Sequence, residues 1–234
     1  MSPTPIATMF DRIAPRYDAL NHLLSFQIDR RWRKTASRWA AEGTPATVLD
    51  VATGTADLAM LLARRLPNAH IVGIDCSEKM LALGKEKVRR KQLEGHVDLQ
   101  WGDVASLPFQ EGSFDAVTVA FGVRNFAQLK QGLSEIQRVT RPQGLVTILE
   151  FSLPERFPVK QLYRFYFHRI LPTIGRWVSR DPEAYRYLPN SVERFPQLEA
   201  FERLLAAQGL DPVRRRRLTF GIATLYQAKK RAVQ

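Results

Sequence analysis

Three aspartates, Asp50, Asp75 and Asp103, each follow or end an apolar run and lie where an open α/β sheet presents its ligand. Asp50 opens Asp50-Val51-Ala52-Thr53-Gly54-Thr55-Ala56-Asp57, a small-residue turn between a strand-like and a helix-like stretch. Such a turn aims backbone N–H groups and the positive end of a helix at a ligand, and small side chains allow close approach. Asp75 follows 25 positions later (75 − 50), where a carboxylate can accept both hydroxyls of a ribose. Asp103, in Trp101-Gly102-Asp103-Val104, can accept from an adenine amino group. Alone, each aspartate reads as a helix cap or a solvated turn residue; in succession they describe an adenosine cradle. The G-x-G-x-x-G phosphate fingerprint is absent, because Gly54 is the single glycine between positions 44 and 72. That combination favours S-adenosylmethionine over a dinucleotide. The expected cofactor set is Asp50, Thr53, Gly54, Thr55, Asp75, Cys76, Asp103, Val104 and Ala120.

The elements that must position these groups alternate. Thr47–Val51, His70–Asp75, Asp98–Gly102, Phe114–Phe121 and Gly144–Phe151 read as strands. Ala56–Leu66, a segment capped by Ser77, and Gln128–Thr140 read as helices. The strand runs lack polar alternation, as in a parallel sheet covered by helices on both faces. After helix Leu198–Gln208, the segments Val213–Leu218 and Ala223–Ala228 read as an antiparallel edge hairpin. Residues 1–234 are expected to form one domain. Its parts are a helical cap over 1–45, a cofactor core over 46–151, an aromatic and basic lid over 152–192, and a helix with hairpin over 193–234.

Thirty-five basic and twenty-three acidic residues give a net charge of +12. That charge favours nucleic acid, an anionic bilayer or an anionic ligand. A single cysteine excludes a disulfide scaffold and a Cys-rich zinc site, and the four histidines show no ligand spacing. Hydrophobic content of 45% excludes wholesale disorder. Neither a secretory signal nor a membrane-spanning run is visible. The best candidate span, Leu162–Val178, is broken by Arg164, His168, Arg169, Pro172 and Arg176. The expectation is a soluble cytoplasmic protein that can touch an anionic membrane at its periphery. The oligomeric state, a homodimer included, stays open.

Several motifs resemble the UbiE/MenG family of quinone-biosynthesis C-methyltransferases. They are Met9-Phe10-Asp11-Arg12-Ile13-Ala14-Pro15-Arg16-Tyr17-Asp18-Ala19-Leu20-Asn21 with Leu24-Ser25, then Val48–Asp57, Leu107-Pro108-Phe109 and Phe121-Gly122-Val123-Arg124-Asn125. Arg138-Val139, Pro142-Gln143-Gly144 and Glu150-Phe151-Ser152 complete them, so the resemblance spans roughly residues 9 to 230. Departures include Asp29 where the family has His, and Ala52 and Ala56 where its cofactor turn has Gly. The resemblance implies a class I S-adenosylmethionine-dependent methyltransferase, Rossmann-like, with a seven-stranded, mostly parallel sheet and an antiparallel edge hairpin. It also implies a lipophilic prenyl or phytyl quinol as acceptor and no nucleic acid. Asp29 and Tyr187-Leu188-Pro189-Asn190-Ser191 favour a 1,4-naphthoquinol. Benzoquinol methylation is the alternative, with RNA methylation or a non-catalytic basic module behind it.

The implied reaction is attack of an aromatic carbon on a sulfonium methyl group. A neutral quinol carbon is a weak nucleophile, and ionising a phenol of pKa about 10 at pH 7 costs about 4 kcal/mol. Alignment of the reacting atoms supplies about 7–11 kcal/mol. The resemblance assigns Arg124 to the developing oxyanion, directly or through a water, and Asn125 to orienting the substrate or that water. Without the motif, Arg124 reads as a surface ion pair. Tyr17 and Asp18 are expected to bond the quinol or the methionine end of the cofactor, or else to cap a helix start. In 152–192, Tyr163, Tyr166, Phe167, Ile170, Leu171 and Ile174 fall on one helical arc. That arc suits a tail channel, a bilayer surface or ordinary packing on the sheet. The basic clusters Arg30–Lys34, Lys85–Lys91 and Arg214–Arg217 suit an anionic membrane or a solvated face.

Overall fold

The computed structural model describes residues 6–14, 25, 27–166, 169 and 182–232, with the side chains of 182–186 outside that set. Seven strands form one sheet: β1 (Thr47–Val51), β2 (His70–Asp75), β3 (Val97–Trp101), β4 (Phe114–Ala120), β5 (Thr140–Phe151), β6 (Leu210–Leu218) and β7 (Ala223–Lys230). Their order is β3-β2-β1-β4-β5-β7-β6. The first five pair in parallel, and β7 runs antiparallel between β5 and the edge strand β6. This is the expected architecture, hairpin included.

Helices cover both faces: α1 (residues 6–14), α2 (Ile28–Ala40), α3 (Asp57–Arg65), α4 (Glu78–Arg90), α5 (Leu129–Val139), α6 (Val159–Phe165), α7 (Pro182–Arg194) and α8 (Glu199–Ala207). Adjacent residues of β1 show why polar alternation is missing. Val48 packs with Trp32, Leu62 and Ile71 on one face, while Leu49 packs with Leu133, Ile136 and Phe201 on the other. Both faces are core. Trp32 fastens α2 to the sheet near the rings of Phe121 and Phe151, and its Nε1 donates to Thr219 Oγ1 at 2.8 Å. Asp29, at the family's histidine position, is buried and accepts from Arg33 Nη1 at 2.5 Å.

One boundary moves. The expected helix ran through Thr140, but α5 ends at Val139 and β5 already begins at Thr140. Thr140 is extended and turns its hydroxyl back onto the Ile136 carbonyl at 2.6 Å. Pro142 then disfavours helical backbone at Arg141, and the register slips between Phe114 and Ala116. No helix among the described residues is long and apolar enough to cross a membrane.

Candidate active site

The sheet order reverses direction between β1 and β4, which opens a crevice at the strands' C-terminal ends. A cleft of about 330 Å³ lies there. Of the expected residues, Gly54, Asp75, Cys76, Asp103, Val104, Ala120 and Asn125 line it. Asp50, Thr53, Thr55 and Arg124 are not among its lining residues, and Tyr17 and Asp18 lie outside the described residues. The lining also includes Ile6 and Phe10, one helical turn apart on α1, together with Met80, Phe121 and Phe126.

The Asp75 carboxylate, at the end of β2, is held by backbone donors on both oxygens. Oδ2 accepts from Gly54 N at 2.8 Å and Oδ1 from Ser77 N at 2.9 Å. A carboxylate offers about four lone-pair sites, so capacity remains for a ligand hydroxyl. Burial raises the Asp75 pKa, and the backbone N–H groups of Ser77, Gly54 and Cys76 oppose the shift. Asp103 accepts from Ala105 N at 2.9 Å, a turn that holds its carboxylate at the rim. Burial, aided by Asp75 and Asp103, pushes the Cys76 thiol up to about 12. It stays protonated at neutral pH and serves as wall, not nucleophile.

Asp50 sits beneath the turn. Thr118 Oγ1 donates to its Oδ1 at 2.6 Å and Thr53 Oγ1 to its Oδ2 at 2.7 Å. Burial still pushes it up to about 6. The turn above carries left-handed backbone at Ala52 (φ 53), Gly54 (φ 56) and Ala56 (φ 65). The alanines bear a conformation costly for any residue with a Cβ. A Cβ at Gly54 would meet no atom within 4 Å, so this glycine leaves open space beside the cleft. Two carboxylates, exposed backbone and apolar walls fit an adenosyl ligand.

The N-terminal helix closes one side. Asp11 Oδ1 accepts from Ser77 Oγ at 2.5 Å and from Lys79 N at 3.2 Å, joining Ser77 in capping α4. Composition gives no signal for that contact, although Asp11 lies within the first motif.

A second wall stands behind the loop after β4. Arg124 and Glu150 form a buried ion pair, Nη1 to Oε1 at 2.8 Å, with side chains 6% and 0% exposed. Glu150 Oε2 also accepts from Arg124 N at 3.2 Å, so one carboxylate grips both ends of the residue. Phe121, left-handed at φ 60, turns its carbonyl to Arg124 Nη1 at 2.5 Å. The buried Arg124 Nε–H has no acceptor among the described residues. Asn125 is aimed by Tyr187 of α7, whose hydroxyl donates to its Oδ1 at 2.9 Å. Tyr163 of α6 is buried nearby with Val192, Phe151 and Leu188. Glu150 and Tyr187 were named in motifs without a role, because their partners lie 26 and 62 residues away.

The sequence profile of the ubiE/COQ5 methyltransferase family matches residues 2–230. A demethylmenaquinone methyltransferase of Bacteroides fragilis is 45% identical over 225 residues, covering 96% of this chain and 92% of that protein. The ubiquinone/menaquinone biosynthesis C-methyltransferase UbiE of Geobacter sulfurreducens is 48% identical over 229 residues, covering 96% of this chain and 88% of its own. Among solved structures, a SAM-dependent methyltransferase from Aquifex aeolicus shares the fold with a TM-score of 0.55 and 19% identity, over 79% of this chain and 82% of that one. With the profile spanning nearly every residue and a cleft suited to the adenosyl group, the chain belongs to the ubiE/COQ5 methyltransferase family and is an S-adenosylmethionine-dependent methyltransferase.

Proposed function

We propose that this protein methylates a ring carbon of a demethylated 1,4-naphthoquinol bearing a prenyl or phytyl tail, in menaquinone or phylloquinone biosynthesis. More coarsely, it is a quinone-biosynthesis C-methyltransferase. The observation that carries the naphthoquinol reading is 45% identity, over 96% of the chain, to a relative named for demethylmenaquinone. A benzoquinol acceptor is the second reading, favoured by the Geobacter relative, whose name covers ubiquinone as well.

Bound S-adenosylmethionine supplies an electrophilic methyl group on a sulfonium. In this reading, Asp75 holds the ribose hydroxyls, Asp103 the adenine, and Gly54 leaves room for the approach. Thr53, Thr55 and Asp50 set the turn from below, while Cys76, Val104 and Ala120 complete the wall. Arg124 offers its unpaired Nε–H to the ring oxygen that must carry negative charge. A buried donor without an acceptor costs about 1–3 kcal/mol, so an oxyanion placed there is stabilised without reorganisation. Asn125, fixed by Tyr187, orients the acceptor. Tyr17 and Asp18 are assigned to hydrogen bonds with the quinol or the methionine end of the cofactor, with residues 1–45 as cap and 152–192 as lid over the 46–151 core.

Two measurements test this. Labelled S-adenosylmethionine is offered with demethyl naphthoquinol, benzoquinol or RNA under reducing conditions. Label in the naphthoquinol supports the proposal, and label in RNA alone ends it. In calorimetry, Asp75→Ala is expected to weaken S-adenosylmethionine binding by about tenfold or more, the worth of a charged hydrogen-bond acceptor. Unchanged affinity removes Asp75 from the site.

A further inference from the structure

Much of the expected basic surface is neutralised. Arg33 pairs with Asp29, Lys87 with Asp57, and Arg89 and Arg90 with Glu86. Arg214, Arg215 and Arg217 pair with Glu42, Glu199 and Glu155. Positive charge next to bare apolar surface lies elsewhere, along α6 and the segment leading into it. Arg156, Lys160 and Arg164 recur every fourth residue, are exposed, and carry no ion pair among the described residues. Beside that stripe, Phe157 is 80% exposed, Leu162 65% and Phe165 60%.

Phe220, 80% exposed, belongs to the same corner. Its loop is stitched to the segment before α6: Ser152 Oγ donates to the Gly221 carbonyl at 2.8 Å, and Arg217 Nη2 to the Leu153 carbonyl at 3.2 Å. Phe220 also holds left-handed backbone (φ 56, ψ 18), costly for an aromatic residue whose ring packs on so little. The opposite face of α6 turns Tyr163 inward, into the field of Arg124 and Glu150. One short helix therefore faces the acceptor wall on one side and presents apolar and cationic groups to solvent on the other.

We propose that this corner is a docking face for an anionic lipid bilayer, with Phe157, Leu162, Phe165 and Phe220 entering the interface while Arg156, Lys160 and Arg164 meet the headgroups. Apolar side chains flanked by unpaired cations match that surface in both polarity and charge. The face deepens the functional reading above and rests on it: a quinol with a lipid tail would pass from bilayer to the Arg124 wall along α6.

Flotation of the full chain tests the face without reference to turnover. Wild type is expected to float with phosphatidylcholine vesicles containing phosphatidylglycerol and to stay behind with phosphatidylcholine alone at high salt. The triple variant Phe157→Ser, Phe165→Ser, Phe220→Ser is expected to lose about tenfold or more in partitioning, because three apolar insertions are gone. Lys160→Gln with Arg164→Gln should lose about fivefold per cation removed, on anionic vesicles only. Leu83→Ser, an exposed position on α4, should change nothing. Absence of wild-type flotation, or full retention of the triple variant, overturns the docking face. A water-soluble, short-tailed naphthoquinol separates this from the proposed reaction. Flotation without its methylation supports the face and ends the functional reading, whereas methylation without flotation overturns the face alone.

Discussion

Arg124→Ala is expected to lower kcat about 10²–10³-fold while leaving S-adenosylmethionine affinity nearly unchanged. The guanidinium does not line the cleft at the strand ends, and its Nε–H is a buried donor with no acceptor among the described residues. The same variant should lose about 3–5 kcal/mol of stability, since Glu150 would keep a charge in a buried site with no counterion. Lost turnover alone therefore does not separate chemistry from folding. The pair Arg124→Met with Glu150→Gln does, because removing both charges leaves no stranded carboxylate and should restore most of the melting temperature. If that double variant also regains turnover, Arg124 is a structural pair member and the oxyanion role is wrong.

The second large effect concerns Asp50, and it has opposite signs for stability and binding. Its carboxyl is raised from 3.8 to about 6, chiefly by burial. A raised acid stabilises the fold fully below 3.8 and loses that contribution as pH climbs through about 6. At pH 7 the ionised group burdens the fold by about 3 kcal/mol, from roughly two pKa units at 1.36 kcal/mol each. Asp50→Asn keeps the shape, and the Thr53 and Thr118 hydroxyls can serve as donor or acceptor. The variant is expected to melt about 6–12 °C higher at pH 7, using about 2–4 °C per kcal/mol for a chain of this size. Its advantage should vanish as pH falls below 3.8. Binding should move the other way: loss of a buried negative charge weakens the sulfonium cation more than its neutral thioether product. Equal melting curves at pH 7, or equal weakening of cation and thioether, would count against this account of the site.

Much of this site is legible in the chain itself. Strand ends, helix starts and the small-residue turn are local features, set by side-chain period, Ser77 as a cap and the absence of a phosphate fingerprint. Those local rules place Asp50, Asp75 and Asp103 at successive strand ends. They do not say which way each carboxylate faces. Asp75 and Asp103 reach the cleft while Asp50 supports the turn from beneath, because neighbouring strands, and Thr118 in particular, decide which atoms are desolvated.

The βα rhythm and the three aspartates were thus determined by the sequence alone, since hydrophobic periodicity and capping act within a few residues. Only the tertiary structure joined Arg124 to Glu150, Asn125 to Tyr187 and Asp11 to Ser77, across 26, 62 and 66 positions. Those contacts depend on strand order, on β7 entering between β5 and β6, and on which charges the closed fold removes from water. A lone arginine in a motif gives no hint that a fully buried glutamate holds it; that pairing exists only once the sheet has brought β4 and β5 side by side.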